Sequence, residues 1–235
     1  MKPILMKTSF LITFVAIASV AGGVITGCST SEQTQNQVPN PTSNNTNTEN
    51  NASQSSHSGH GSSNHEMAMD LGVADANYDL RFIDAMTPHH QGAVEMAKEA
   101  QQKSQRPEIK KLASEIINAQ NKEIGQLKQW RKAWYPKAGT QLVAYGGAGK
   151  STVPMSDEQK QSMMMSQDLG AADAEFDLRF INAMIPHHEG AITMANDALA
   201  KSKQAEIKKL SQNIITSQQK EIDQMKQWRK AWYKQ

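Results

Sequence analysis

Residues 82–96 read F-I-D-A-M-T-P-H-H-Q-G-A-V-E-M, and residues 180–194 read F-I-N-A-M-I-P-H-H-E-G-A-I-T-M. Each copy sets two adjacent histidines between two methionines, on a segment whose apolar residues otherwise recur at helical spacing. The likeness extends outward from these stretches. Residues 67–135 align with residues 165–233 at a constant offset of 98, without a gap, and both copies end in W-R-K-A-W-Y. About two thirds of the aligned positions are identical. Two copies are too few for a solenoid; they suit a duplicated unit that closes on itself.

Each unit's pattern predicts two helices, the first over about Ala74 to Ser104 and the second over Pro107 to Trp134. Pro107 fits a first helical turn, where its missing N–H is not needed. In the second helix Ile109, Leu112, Ile116, Ile117, Ile124 and Leu127 recur every three or four residues. Arg131 and Lys132 fall in its last turn, where positive charge is favourable against the helix dipole. No stretch of the repeats alternates apolar and polar residues long enough for a strand. A lone helical hairpin cannot bury both of its stripes, whereas two hairpins together make a four-helix bundle. The expected fold is therefore all-α: duplicated helical hairpins in a four-helix bundle. The hairpins occupy residues 67–135 and 163–235, joined by a linker over 136–162 whose Gly and Pro residues argue against regular structure.

Ahead of the repeats, Lys2 and Lys7 followed by an apolar run from Phe10 to Ile25 form a signal peptide over residues 1–27. The run is short for a membrane-spanning helix. It ends in Ile25-Thr26-Gly27-Cys28, a bacterial lipoprotein box, which makes Cys28 the expected lipidation site and the membrane an expected partner. Cys28 is the chain's one cysteine, so it has no disulfide partner within the chain. Residues 28–66 are a polar stretch read as a disordered tether.

The chain carries 25 basic and 23 acidic side chains, which leaves no basic footprint for nucleic acid. The run Ala144–Ser151 matches a relaxed phosphate-loop pattern, but Val153-Pro154 rather than a helix follows it, so no nucleotide is expected. H-E-x-x-H and C-x-x-C-H motifs are absent from the sequence, as is the Glu-x-x-His tetrad of di-iron bundles. An enzyme is not the expectation; a copper- or iron-dependent oxidase is the enzymatic alternative.

On a helix, Met86, His89, Ala93, Met96 and Ala100 share one face, with His90 beside it. Met184, His187, Ala191, Met194 and Ala198 repeat that face, with His188 beside it. Facing seams would bring imidazoles and thioethers together. Soft thioether and borderline imidazole select Cu(I) over Mg, Ca or Mn, and thioethers persist outside the cytosol, where thiols oxidise. The same spacing also describes a core filled with methionine, so an interaction or structural lipoprotein without metal remains the second alternative. Further candidate ligands are His57, His60, His65, Met67 and Met69 ahead of the first repeat, where Cu(II) also fits the histidines, and Met163, Met164 and Met165 ahead of the second. Three consecutive methionines cannot share one helix stripe. Gln120 and Gln218, set among apolar positions, are expected to be buried and to hydrogen-bond histidine nitrogens from a second shell. Trp130, Trp134, Trp228 and Trp232 are expected to close the bundle's end.

The motif M-x-P-H-H-x-G-A-x-x-M, with its preceding F-I-x-A and closing W-R-K-A-W, resembles the exported "domain of unknown function 305" family across both repeats. The resemblance implies a ferritin-like helical bundle, a periplasmic or cell-surface location, and Cu(I) binding by Met and His in copper resistance. The residues carried over are Met86, His89, His90 and Met96, with Met184, His187, His188 and Met194. The expected partners are copper ions and a copper-transfer protein.

Overall fold

The computed structural model describes residues 69–147 and 152–235. The expected signal peptide and tether, with Cys28, His57, His60, His65 and Met67, lie outside the described residues. Two helical hairpins dominate: α1 (Tyr78–Lys103) with α2 (Pro107–Trp134), and α4 (Phe176–Lys201) with α5 (Ala205–Tyr233). Together they make the expected helical bundle. Between them lie a two-strand ladder, β1 (Val143–Ala144) antiparallel to β2 (Val153–Pro154), and a short helix α3 (Asp157–Met164).

α1 starts at Tyr78, four residues later than the periodicity suggests, because an arginine claims the preceding carbonyls. Arg81 is fully buried; its Nε donates to Leu71 O at 2.7 Å and its Nη2 to Val73 O at 2.7 Å, while Nη1 lies 2.9 Å from an Asp75 carboxylate oxygen. Arg179 repeats the clamp on Leu169 O, Ala171 O and Asp173. Each lead-in segment is thereby folded back against its helix instead of extending it.

The linker is more regular than its glycines suggest. Asp84, fully buried, accepts from Arg131 and from Val143 N, and Arg131 also donates to Gly139 O and Gln141 O. These bonds lay residues 139–143 onto the first hairpin. Helix α3 straddles the expected boundary at 162/163. Its start is a capping box: Gln159 N donates to Ser156 Oγ, and Ser156 N to Gln159 Oε1. That S-x-x-Q signature was present in the sequence.

The core falls into two apolar clusters. One joins the C-terminal half of α1 (Ala93, Met96, Ala97, Ala100) to the N-terminal half of α4 (Phe176, Phe180, Ile181, Met184), with Ile109 to Ile116, Ile222 and Met225 behind them. The other joins Tyr78 to Met86 of α1 to Ala191 to Ala198 of α4, backed by Leu127 and Ile207 to Ile214. Such reciprocal pairing means that α1 and α4 run antiparallel and cross near their middles. Trp130 stacks on Trp134 and Trp228 on Trp232, with centroids 5.2 and 5.1 Å apart. Each pair is partly buried and packs against one cluster, Trp228 and Trp232 against the first and Trp130 and Trp134 against the second.

Candidate metal centre

The crossing point of α1 and α4 is occupied by histidine. His89, His90, His187 and His188 each have zero exposure, and they form a polar layer between the two apolar clusters. Helical spacing puts one histidine of each pair on the methionine face and the other at its flank; the structure buries all four. The physical reason is coverage. α1 is packed by α2, α3, α4 and β1, so every residue from Tyr78 to His90 is buried, a far wider arc than one helical neighbour would impose.

The rings of His89 and His187 lie 3.9 Å apart between centroids. His187 Nε2 sits 2.9 Å from His89 O and 3.2 Å from Met164 O. Both neighbours are acceptors, so Nε2 carries the proton and Nδ1 keeps its lone pair. His188 Nε2 donates to Glu221 Oε2 at 2.6 Å. His90 Nε2 lies 2.9 Å from Glu123 Oε2, without the angle of a hydrogen bond. The Nδ1 atoms of all four histidines, and Nε2 of His89 and His90 as well, are buried without a hydrogen-bond partner among the described residues. A buried polar atom left unpaired costs about 1–3 kcal/mol. Six such nitrogens in one layer are uneconomical for packing alone and suit an electrophile that accepts nitrogen lone pairs.

Burial, reinforced by the neighbouring His187, His90 and His188, holds the His89 imidazole well below its ordinary value. Burial and then the His188 and His90 rings lower His187 from 6.5 to about 3, against a smaller opposing pull from the carbonyls of His89 and Met164. Both rings are therefore neutral at pH 7, the form a metal ligand requires. The sign of the pH dependence follows. Between about 3 and 6.5 the unfolded chain holds more protons on this histidine than the folded one, so stability rises with pH across that window. The slope is up to about 1.4 kcal/mol per pH unit per histidine. Urea unfolding of the metal-free protein should give a lower midpoint at pH 5 than at pH 7, and His187→Gln should flatten the difference. Equal midpoints in the unaltered protein would contradict neutral burial.

The expected partners of the histidines need correction. Gln120 and Gln218 are buried as anticipated, 2% and 3% exposed, but both amide atoms of Gln120 and the Oε1 of Gln218 have no hydrogen-bond partner. The side chains that reach His90 and His188 are Glu123 and Glu221, one turn further along α2 and α5. The signal was an identical K-E-I at 122–124 and 220–222, which looks like an ordinary charged face.

Met86, Met96, Met184 and Met194 are all buried, but within the apolar clusters on either side of the histidine layer: Met86 with Met194, and Met96 with Met184. Met163 is buried at 3% exposure. Met164 and Met165 are half-buried, and Met165 takes a left-handed conformation, φ 47°, at the end of α3. Met69 Sδ and His89 Nε2 both border Gly190. A Cβ built on Gly190 would lie 3.0 Å from Met69 Sδ and 3.2 Å from His89 Nε2. Among the described residues no three His, Cys, Asp or Glu side chains are grouped to hold a metal.

Fold and site together define a duplicated helical bundle with a buried imidazole layer, and the chain belongs to the family described as "Domain of unknown function (DUF305)", whose model matches residues 28–131 and 79–229. Among solved structures it is similar to CopM in the Cu(II)-bound form, 40% identical over 66% of this chain and 97% of that one, TM-score 0.54. The Cu(I)-bound form of CopM is 39% identical over the same shares, TM-score 0.50. A DUF305 fragment from Deinococcus radiodurans, 24% identical over 66% of this chain and 96% of that chain, TM-score 0.51, shares the fold. "Uncharacterized protein L153" of Acanthamoeba polyphaga mimivirus is 47% identical over 49 residues, which is 21% of this chain and 32% of that protein.

Proposed function

We propose that this chain is an exported copper-binding protein that holds Cu(I) at the histidine layer, with thioether help, for sequestration or handover. The observation that carries this is the set of four buried imidazoles whose Nδ1 atoms, with Nε2 of His89 and His90, have no hydrogen-bond partner among the described residues. Carboxylates are poor competitors for the role, because Glu123 and Glu221 are engaged by His90 and His188. That leaves imidazole and sulfur, the donors that favour Cu(I). CopM, 40% identical over nearly its whole length, has been solved with copper and with silver bound, which supports the same cargo here. His89 and His187 are the proposed principal ligands, with the buried Met86, Met96, Met184 and Met194 one helical turn or more away. Export, a lipid anchor at Cys28 and an additional Cu(II) site at His57, His60 and His65 rest on the sequence. Among the described residues no helix is long and apolar enough to cross a membrane.

Binding to the folded state must stabilise it, by about 2.7 kcal/mol at a hundredfold excess over Kd. The metal-free protein should therefore gain several degrees in melting temperature when Cu(I) is added under reductant. A melting curve unmoved by saturating Cu(I) would favour a bundle in which histidine and methionine only pack.

A further inference from the structure

The duplicated halves are not equivalent at the histidine layer, and the difference lies over two glycines. A Cβ on Gly92 would lie 1.8 Å from Met164 O and 2.7 Å from Met164 C, so the main chain at the end of α3 is seated directly on that glycine. The same carbonyl lies 3.2 Å from His187 Nε2. On that side the layer is closed by backbone. Over Gly190 the covering group is the end of a flexible side chain: Met69 Cε is 2.6 Å and Sδ 3.0 Å from the Cβ position. His89 Nε2, which has no hydrogen-bond partner among the described residues, lies 3.2 Å from the same Cβ position. Outside this cap is a surface pocket lined by Met69, Asp70, Leu71, Thr193 and Asp197, and Thr193 and Asp197 continue the Gly190 face of α4 outward.

We propose that Met69 and His89 form a thioether–imidazole mouth through which Cu(I) reaches and leaves the layer over Gly190, and that the counterpart over Gly92 is permanently shut. This rests on the proposed function above and assigns its direction. The segment carrying Met69 is anchored, and its half-buried side chain, packed against the second apolar cluster, ends in a flexible thioether. Arg81 holds Leu71 O and Val73 O, Lys201 Nζ donates to Gly72 O at 2.8 Å, and Gly72 N donates to Asp70 Oδ1. A sulfur on a fixed stem with rotatable bonds can bind an incoming soft ion and pass it to a nitrogen below. The sequence marks the same asymmetry, since the second copy has Gln167 where the first has Met69.

The experiment uses the folded chain with its N-terminal segment intact, and follows Cu(I) exchange with a coloured Cu(I) chelator. Met69→Leu, which keeps the apolar bulk, should lower affinity and exchange rate by about tenfold or more. Gly190→Ala should do the same by displacing Met69, without loss of helical signal. Met69→Leu that binds and exchanges Cu(I) like the unaltered protein, while His89→Ala does not, would overturn the mouth and leave the buried site standing. Undiminished Cu(I) binding by His89→Ala plus His187→Ala would overturn the buried site itself, whatever Met69→Leu does.

Discussion

Replacing His89 and His187 together by alanine is expected to lower Cu(I) affinity by more than about 100-fold. Changes to outer-shell partners alone cost about 10–100-fold in metal affinity, and these two rings are argued to be the ligands themselves. Their centroids are 3.9 Å apart, and burial keeps both neutral. Removing two imidazoles also empties space between two apolar clusters, which by itself loosens the bundle. The companion variant His89→Leu plus His187→Leu fills that space with carbon and removes the lone pairs. Both variants should lose Cu(I) binding; only the alanine pair should show the cost of a cavity. If the leucine pair binds Cu(I) as tightly as the unaltered protein, the rings are packing groups.

Gly92→Ala should destabilise the protein by about 2 kcal/mol or more. An added methyl in a packed interior costs about 1–3 kcal/mol, and here it would stand 1.8 Å from a main-chain oxygen that a side-chain rotation cannot move. Replacing glycine inside a helix recovers about 1 kcal/mol of propensity, too little to offset the clash. Relief requires the end of α3 to lift, which also breaks the approach of Met164 O to His187 Nε2. Gly190→Ala is the matched control: the same substitution, in the same motif, against the movable tip of Met69 should change stability little. Urea midpoints of the two variants, measured side by side, check the contrast. Equal losses would mean that the two glycines face the same kind of neighbour.

Much of the architecture was legible because the chain states it twice. Apolar spacing gave the four long helices, with the start of α2 at Pro107 and its end at Trp134, and the repeat implied that they pair. Helical periodicity also located the histidine layer, since a hairpin must bury the face that carries His89 and His187. What stayed hidden depends on contacts between elements, which spacing along one helix does not encode. Arg81 and Arg179 look like exposed charges in the first helical turns until the carbonyls of residues 71–73 and 169–171 are seen folded onto them. The depth of His90 and His188 depends on the second helix of each hairpin, whose Glu123 and Glu221 reach them. Glu123 and Glu221 resemble the solvated face of an amphipathic helix, and nothing in their spacing tells that a histidine waits across the interface. The closure of one side by α3 and of the other by Met69 is a property of the linker and the lead-in segment, where the copies differ.

The central claim is that the imidazole layer at the crossing of α1 and α4 holds Cu(I). The most direct measurement is a competition titration with a Cu(I) chelator of known affinity, run in parallel on the unaltered protein and on His89→Leu plus His187→Leu, each shown to be helical beforehand. The expected result is tight binding by the unaltered protein and loss of more than about 100-fold in the leucine pair. Binding of equal strength and stoichiometry in both would place the copper elsewhere in the chain and contradict the account.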